Sequence, residues 1–125
     1  MKNGTEKDGM DLEKRLKRFA LEIMKLCNEI SHLSIAKEIC KQLVRSGTSP
    51  GANYREARRA RSNSEFIAKI GIIIQELDES MYWLELLVEG KIVLLHKIQH
   101  IHSEANELVA IFTTISKKTK FKLNK

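Results

Sequence analysis

Residues 12–30, LEKRLKRFALEIMKLCNEI, decide the fold class of this chain. Their apolar residues advance by alternating steps of four and three, which places them on one stripe of an α-helix. Charged residues occupy the opposite face, so the helix is amphipathic and half solvated. The stripe consists of Leu12, Leu16, Phe19, Ile23, Leu26 and Ile30. Asp11 stands where an N-cap residue would, and we predict a helix over 11–30.

A second stripe with the same spacing lies near the C-terminus and predicts a helix over 91–116. It consists of Leu94, Ile98, Ile101, Ala105, Leu108, Phe112 and Ile115. The basic segment 117–125 that follows is predicted to be a flexible tail, and so is the polar segment 1–10.

The segment 34–61 is predicted to be helical on both sides of Pro50. Its apolar residues include Ile35, Ile39, Cys40, Leu43 and Val44. Proline removes an amide donor and crowds the carbonyl of Ser46. The helix therefore either kinks there or stops at Gly47 and restarts with Ser49 as its cap.

A further helix is predicted over 63–89. Ser62 and Glu65 form a capping-box pattern at its start, and Gly90 is expected to end it as a left-handed cap. Its core positions are Phe66, Ile70, Ile73, Leu77, Leu84 and Leu87. Four helices with short links predict one all-α domain over 1–125, folded as an antiparallel up-down-up-down four-helix bundle.

The third helix carries more apolar residues than one bundle can bury. Ile67, Ile74, Met81 and Val88 lie on one flank, and Ile72, Trp83 and Leu86 lie on a face that a lone bundle would leave in water. A helix that is apolar almost all round is expected to be covered on two sides. We therefore expect a homo-oligomer.

We expect a cytoplasmic protein without a cofactor. Among 125 residues there is one proline, and no apolar run approaches the length of a membrane span. The N-terminus lacks the apolar stretch of a signal peptide. Cys27 and Cys40 are expected to be buried free thiols, because no zinc-ligand spacing accompanies them.

Positive charge is concentrated in two segments. Residues 34–61 carry seven basic and two acidic residues, and 91–125 carry seven and two, whereas 62–90 carry one and six. Clustered arginine suits bidentate contact with phosphate, so nucleic acid is a candidate partner. The candidate phosphate-binding residues are Arg45, Arg55, Arg58, Arg59, Arg61, Lys117 and Lys118. The alternative is a solvated face balanced by the acidic third helix.

Residues that could support chemistry are few. His96, His100 and Glu104 follow one another at steps of four on the last helix and could face one metal ion, but no second ligand motif accompanies them, and exposed imidazoles are the preferred interpretation. The sequence contains no glycine-rich phosphate loop and no nucleophile in a strained turn. We expect no catalytic residues, no metal site and no enzymatic activity.

Three blocks carry a family resemblance: KQLVRSGTSPGANYREA at 41–57, SEFIAK at 64–69 and ELDESMYWLELL at 76–87. Together they resemble the bacterial four-helix-bundle family encoded within intervening sequences of 23S ribosomal RNA. The resemblance implies a homopentamer and no known catalysis. It also implies a relative, the accessory variability determinant protein of diversity-generating retroelements, a basic pentamer that binds nucleic acid and a reverse transcriptase.

The resemblance also bears on individual residues. It favours a continuous second helix that kinks at Pro50. It places an aromatic pair, Tyr82 and Trp83, on the surplus apolar face of the third helix. The predicted oligomer interface is thus Ile72, Tyr82, Trp83 and Leu86.

Two functional hypotheses remain open. In the first, the protein is a non-enzymatic, oligomeric accessory factor that binds RNA or DNA through its arginines and assists a reverse transcriptase. In the second, it is an oligomeric scaffold for a protein partner and has no role with nucleic acid.

Overall fold

The described part of the chain forms four antiparallel helices, as the apolar spacing predicts. The computed structural model describes the backbone of residues 2–123, and the burial and contacts of residue 9 and residues 11–123. The helices are α1 (Lys2–Ile30), α2 (Ser34–Arg58), α3 (Asn63–Glu89) and α4 (Leu95–Leu123). Each packs on the next in chain order, and α4 returns to α1. The fold is an all-α up-down four-helix bundle.

The predicted stripes of α1 and α4 form much of the core. Leu16 and Ile23 of α1 and Leu108 and Phe112 of α4 are fully buried. The prediction for Leu94 was wrong: this side chain is 70% exposed. It lies in the turn before the first residue of α4, so the helical spacing that brings Ile98 inward does not extend to it.

Several predicted helix ends require correction. Asp11 is not an N-cap, because α1 already begins at Lys2 and Asp11 occupies an exposed position inside it. At the other end of the chain, α4 begins at Leu95 rather than at residue 91 and continues to Leu123 through most of the segment predicted as a tail. The predicted tail contains no proline that would stop the helix. The buried stripe of α4 extends to Ser116, directly before this segment.

The second helix passes through Pro50 without a break and ends at Arg58, three residues before the predicted end. Apart from Ser46, its buried positions follow a four-and-three spacing that includes small residues and a tyrosine: Ala36, Cys40, Leu43, Gly47, Pro50, Tyr54 and Ala57. Ile35, predicted to belong to the apolar stripe, is 64% exposed. The register is set by the whole stripe, which begins with Ala36.

Gly47 allows α1 and α2 to approach closely. A Cβ at this position would lie 2.9 Å from Cδ1 of Ile23, which is fully buried. Only the absence of a side chain leaves room for Ile23 there.

The ends of α3 are held by specific hydrogen bonds. The Glu65 amide donates to Oγ of Ser62 at 3.0 Å, as the capping-box pattern predicts, but the Glu65 carboxylate accepts from the amide of Arg61 rather than from that of Ser62. The predicted left-handed cap at Gly90 was wrong, because its φ is −78° and the positive φ, 60°, falls on Lys91.

The turn after α3 explains why Lys91 takes this conformation. The Lys91 amide donates to the carbonyl of Val88 and the Ile92 amide to that of Leu87, which is the Schellman pattern with Lys91 as the left-handed residue. Gly90 is needed for space instead, since a Cβ there would lie 2.8 Å from the Leu86 carbonyl oxygen.

Polar contacts cross the bundle at a few buried points. The hydroxyl oxygens of Ser46 and Ser80 lie 2.9 Å apart between α2 and α3. Cys27 and Cys40 are buried free thiols, as predicted, and burial raises the pKa of both. Between α1 and α4, the Arg15 guanidinium donates two hydrogen bonds to Glu104, at 2.9 and 2.7 Å.

Within residues 2–123, none of the helices is sufficiently long and apolar to span a membrane.

Candidate nucleic-acid interface

Most of the predicted phosphate-binding residues converge at one end of the bundle. In an up-down bundle the start of α1, the end of α2, the start of α3 and the end of α4 meet at the same end. Contacts confirm this arrangement, because Tyr54 of α2 packs edge-to-face on Phe112 of α4 with ring centroids 5.3 Å apart. We call this end the basic end and define it by Arg55, Arg58, Arg59, Arg61, Lys117 and Lys118.

Ion pairing divides these cations into two groups. Nη1 of Arg58 lies 3.5 Å, and Nε of Arg55 lies 3.9 Å, from the carboxylate of Glu13 on α1. Within the described part of the chain, the other four cations of the basic end have no carboxylate within 4.0 Å. These are Arg59, Arg61, Lys117 and Lys118, and all four are exposed. Among the described residues, these four cations therefore present positive charge to solvent without an ion-pair partner.

Arg45 is not brought together with the others. It lies 13 residues before Arg58 on α2, which is about 20 Å along the helix axis. Its guanidinium contacts two carboxylates of α3, with Nη1 3.3 Å from Glu76 and Nη2 hydrogen-bonded to Glu79. The hydrogen bond that Arg45 donates to Glu79, together with the charges of both carboxylates, raises the pKa of Arg45. This residue realises the internal pairing with acidic α3 that the sequence offered as an alternative.

A pocket opens at the basic end where all four helices contribute. Its volume is about 650 Å³. Its apolar wall consists of Leu12, Tyr54, Ala57, Phe66 and Ile115, and its polar rim includes Arg58, Arg61 and Asn63. We call it the terminal pocket. Leu12 and Ile115 also line a second cavity, on the α1–α4 side, where Lys118 contributes to the rim. Arg58 and Arg61 thus border a partly apolar concavity, and Lys118 borders the cavity next to it.

The predicted oligomer interface lies on the outer side of α3. Tyr82 is 53% and Ile72 37% exposed, whereas Trp83 and Leu86 are half-buried. The rings of Tyr82 and Trp83 pack edge-to-face with centroids 5.2 Å apart. The Trp83 indole N–H donates to Glu79 at 3.0 Å, so this ring is anchored to the carboxylate that also binds Arg45. Ile72 and Tyr82 are therefore the two exposed residues of the predicted interface.

His96 and His100 of α4 line one cavity, whereas His102 lines another. His100 contacts Glu22 at 3.0 Å, His102 contacts Glu85 at 2.8 Å, and Glu104 is taken by Arg15. No group of three or more metal-ligating side chains is found in the part of the chain that the structure describes.

Two residues of this end escaped the sequence analysis. Glu13 was not singled out in the sequence, because its role as partner of Arg55 and Arg58 depends on how α1 and α2 pack. Phe66 was assigned to the core of the third helix, yet it is only half-buried and lines the terminal pocket. Its position one turn after the cap of α3, close to the arginine cluster, was a signal that could have found it.

Fold and charge together define a four-helix-bundle protein with one strongly basic end. The chain belongs to the 23S rRNA-intervening sequence protein family, whose profile matches residues 9–114. A crystal structure of a protein of unknown function from the S23 ribosomal protein family of Bacteroides thetaiotaomicron VPI-5482 is similar, with a TM-score of 0.80 and 33% sequence identity. The similarity covers 84% of this chain and 97% of that chain. No match was found among curated proteins.

Proposed function

We propose that this protein is a non-enzymatic, oligomeric accessory factor that binds RNA or DNA through the phosphate backbone. The observation that carries the proposal is the gathering, at one end of the bundle, of four exposed cations that have no carboxylate partner among the described residues: Arg59, Arg61, Lys117 and Lys118. Binding by phosphate neutralisation requires this kind of uncompensated charge and little base readout.

Oligomerisation strengthens the proposal physically. Several copies arranged around an axis would place several basic ends on one side of the assembly, and their potentials would add at the surface of a polyanion. The apolar outer side of α3, at Ile72 and Tyr82, is the surface we assign to contact between copies. Assistance to a reverse transcriptase is the role that the retroelement relative suggests for such an assembly.

The test is charge reversal at the basic end. Replacing Arg58, Arg59 and Arg61 by glutamate together should abolish binding of a structured RNA without changing the oligomer. A matched control replaces three exposed cations distant from that end by glutamate: Lys25, Lys37 and Lys41. This variant should retain most of the RNA affinity. Equal loss in both triple variants would show a general effect of net charge and would contradict the assignment to the basic end.

The second candidate is a protein-interaction scaffold, which a different surface favours. Four large apolar side chains are exposed at the opposite end of the bundle, in its two turns and at the start of the helices that follow them: Leu33, Ile35, Leu94 and Leu95, at 43–70%. Exposed apolar groups in one area are typical of protein contact sites. Under this alternative the arginine cluster meets an acidic patch of a protein. The charge-reversed variant would then lose that partner in a pull-down, while RNA affinity would be at background for wild type and variant alike.

A further inference from the structure

The terminal pocket combines features that simple phosphate binding does not need. A volume of about 650 Å³ falls within the range of about 300–1,000 Å³ typical of small-molecule sites. Its wall is apolar and partly aromatic, whereas a surface that only neutralises phosphates can be flat and fully polar. The pocket can therefore take a flat, largely apolar group attached to an anionic chain.

One aromatic ring in the wall is only partly buried by the core on which it packs. Tyr54 is 5% exposed and its ring is engaged by Phe112. Phe66 is half-buried, and it makes no ring-to-ring contact within the described part of the chain. Stacking of nucleic-acid bases on aromatic side chains is the common means of holding single strands. Phe66 is placed to serve as such a platform.

Anion-binding groups lie at the rim beside that ring. The Arg61 guanidinium has no carboxylate partner among the described residues. The nearby Glu65 carboxylate accepts a hydrogen bond from the backbone amide of Arg61, at 3.2 Å, and not from its guanidinium. Asn63 and Ser64 open α3, where backbone amides have no intrahelical acceptor and the helix dipole favours negative charge. Arg58 completes the rim, with Glu13 as its partner.

We propose that the terminal pocket takes one unstacked base of a single-stranded nucleic acid, with the base on Phe66 and the flanking phosphates on Arg58 and Arg61. The inference rests on the proposed function, because it specifies which form of nucleic acid the basic end prefers. A paired base cannot enter without breaking its pair, so single strands bind more tightly than duplexes of the same charge. The apolar wall accepts any base and gives little sequence preference.

The experiment compares a fluorescently labelled oligo-dT with an abasic oligonucleotide of the same length and the same number of phosphates. Fluorescence anisotropy measures the affinity of wild type, Phe66→Leu and Leu94→Ala for each. Stacking of one base on an aromatic ring predicts that wild type binds oligo-dT at least about fivefold more tightly than the abasic strand. Phe66→Leu should lose that preference and keep the abasic affinity, whereas Leu94→Ala, at the opposite end, should behave as wild type.

The outcomes separate this inference from the function on which it rests. Equal affinity of wild type for both strands overturns the base pocket and leaves phosphate binding intact. No binding of either strand at low salt contradicts both. A preference for oligo-dT that survives in Phe66→Leu places the base elsewhere and also overturns the inference. If Phe66→Leu fails to fold, photo-crosslinking of an iodouracil-substituted strand to wild type decides, and the crosslinked peptide must contain Phe66.

Discussion

Nη1 of Arg58 lies 3.5 Å from Oε2 of Glu13, across the interface between α2 and α1. The other carboxylate oxygen lies 3.9 Å from Nε of Arg55, so a single acidic residue partly neutralises two arginines of the basic end. Arg59 and Arg61 have no such partner among the described residues. Glu13 therefore lowers the positive potential that Arg55 and Arg58 offer to a polyanion at this end.

Replacing Glu13 by glutamine should tighten nucleic-acid binding. The change removes one negative charge and releases Arg55 and Arg58, so the affinity should rise severalfold at low salt. The slope of log affinity against log salt should steepen by up to about one or two. The matched control is Glu38→Gln, which makes the same charge change near the opposite end of the bundle, where Glu38 pairs with Lys41 at 3.5 Å. An equal gain in both variants would mean that net charge, and not the basic end, governs binding.

Arg45→Gln should have little effect on nucleic-acid affinity, with a change below about twofold, because the guanidinium is held by Glu76 and Glu79 and lies apart from the basic end. Arg61→Gln also removes an arginine, but one without a carboxylate partner among the described residues. This change should weaken nucleic-acid binding severalfold. Parallel titrations of both variants with one RNA at one salt concentration check this. A loss for Arg45→Gln as large as that for Arg61→Gln would place the bound strand along α2 instead.

Gly47→Ala should destabilise the fold by about 1–3 kcal/mol, because the new methyl group would overlap the fully buried Ile23. Gly51→Ala is the matched control one turn further along α2. A Cβ there would lie at least 3.8 Å from its nearest neighbours in Leu16, an ordinary contact, so this change should be neutral or stabilising by about 0.4–1 kcal/mol. Urea unfolding measures both. A Gly47→Ala protein as stable as wild type would show that Ile23 can move aside without loss of packing.

Ile72→Asp combined with Tyr82→Asp should yield a smaller species in sedimentation velocity, because both side chains lie on the surface assigned to contact between copies. Trp83 is a less clean probe, since its indole also bonds Glu79. Leu21→Asp is the control, as Leu21 is 55% exposed on α1. Sedimentation of the wild-type protein as a monomer would contradict the proposed interface.

The sequence predicted the bundle because its strongest signals, such as the stripe from Leu12 to Leu26, are local and periodic. It missed the buried register of α2 because Gly47, Pro50 and Tyr54 are not read as apolar stripe residues. Their burial follows from close packing on α1, which no local pattern encodes. The left-handed conformation of Lys91 was missed for a related reason, since the hydrogen bonds of the turn select it against the usual preference for glycine.

The candidate site also has features that the local sequence indicates and features that depend on the packing of the helices. Clustering of arginine in the sequence indicated Arg58, Arg59 and Arg61, because they are neighbours on the chain. The addition of Lys117 and Lys118 to one basic end, and the separation of Arg45 from it, depend on the antiparallel arrangement of the helices. The terminal pocket could not be predicted, because its wall is assembled from all four helices.

The most direct test of the account is a fluorescence-anisotropy titration of a structured RNA with the wild-type protein at several salt concentrations. Phosphate neutralisation at the basic end predicts measurable affinity at low salt that falls steeply and linearly in log affinity against log salt. Binding that is absent even at low salt would contradict the nucleic-acid function and leave the protein-interaction scaffold.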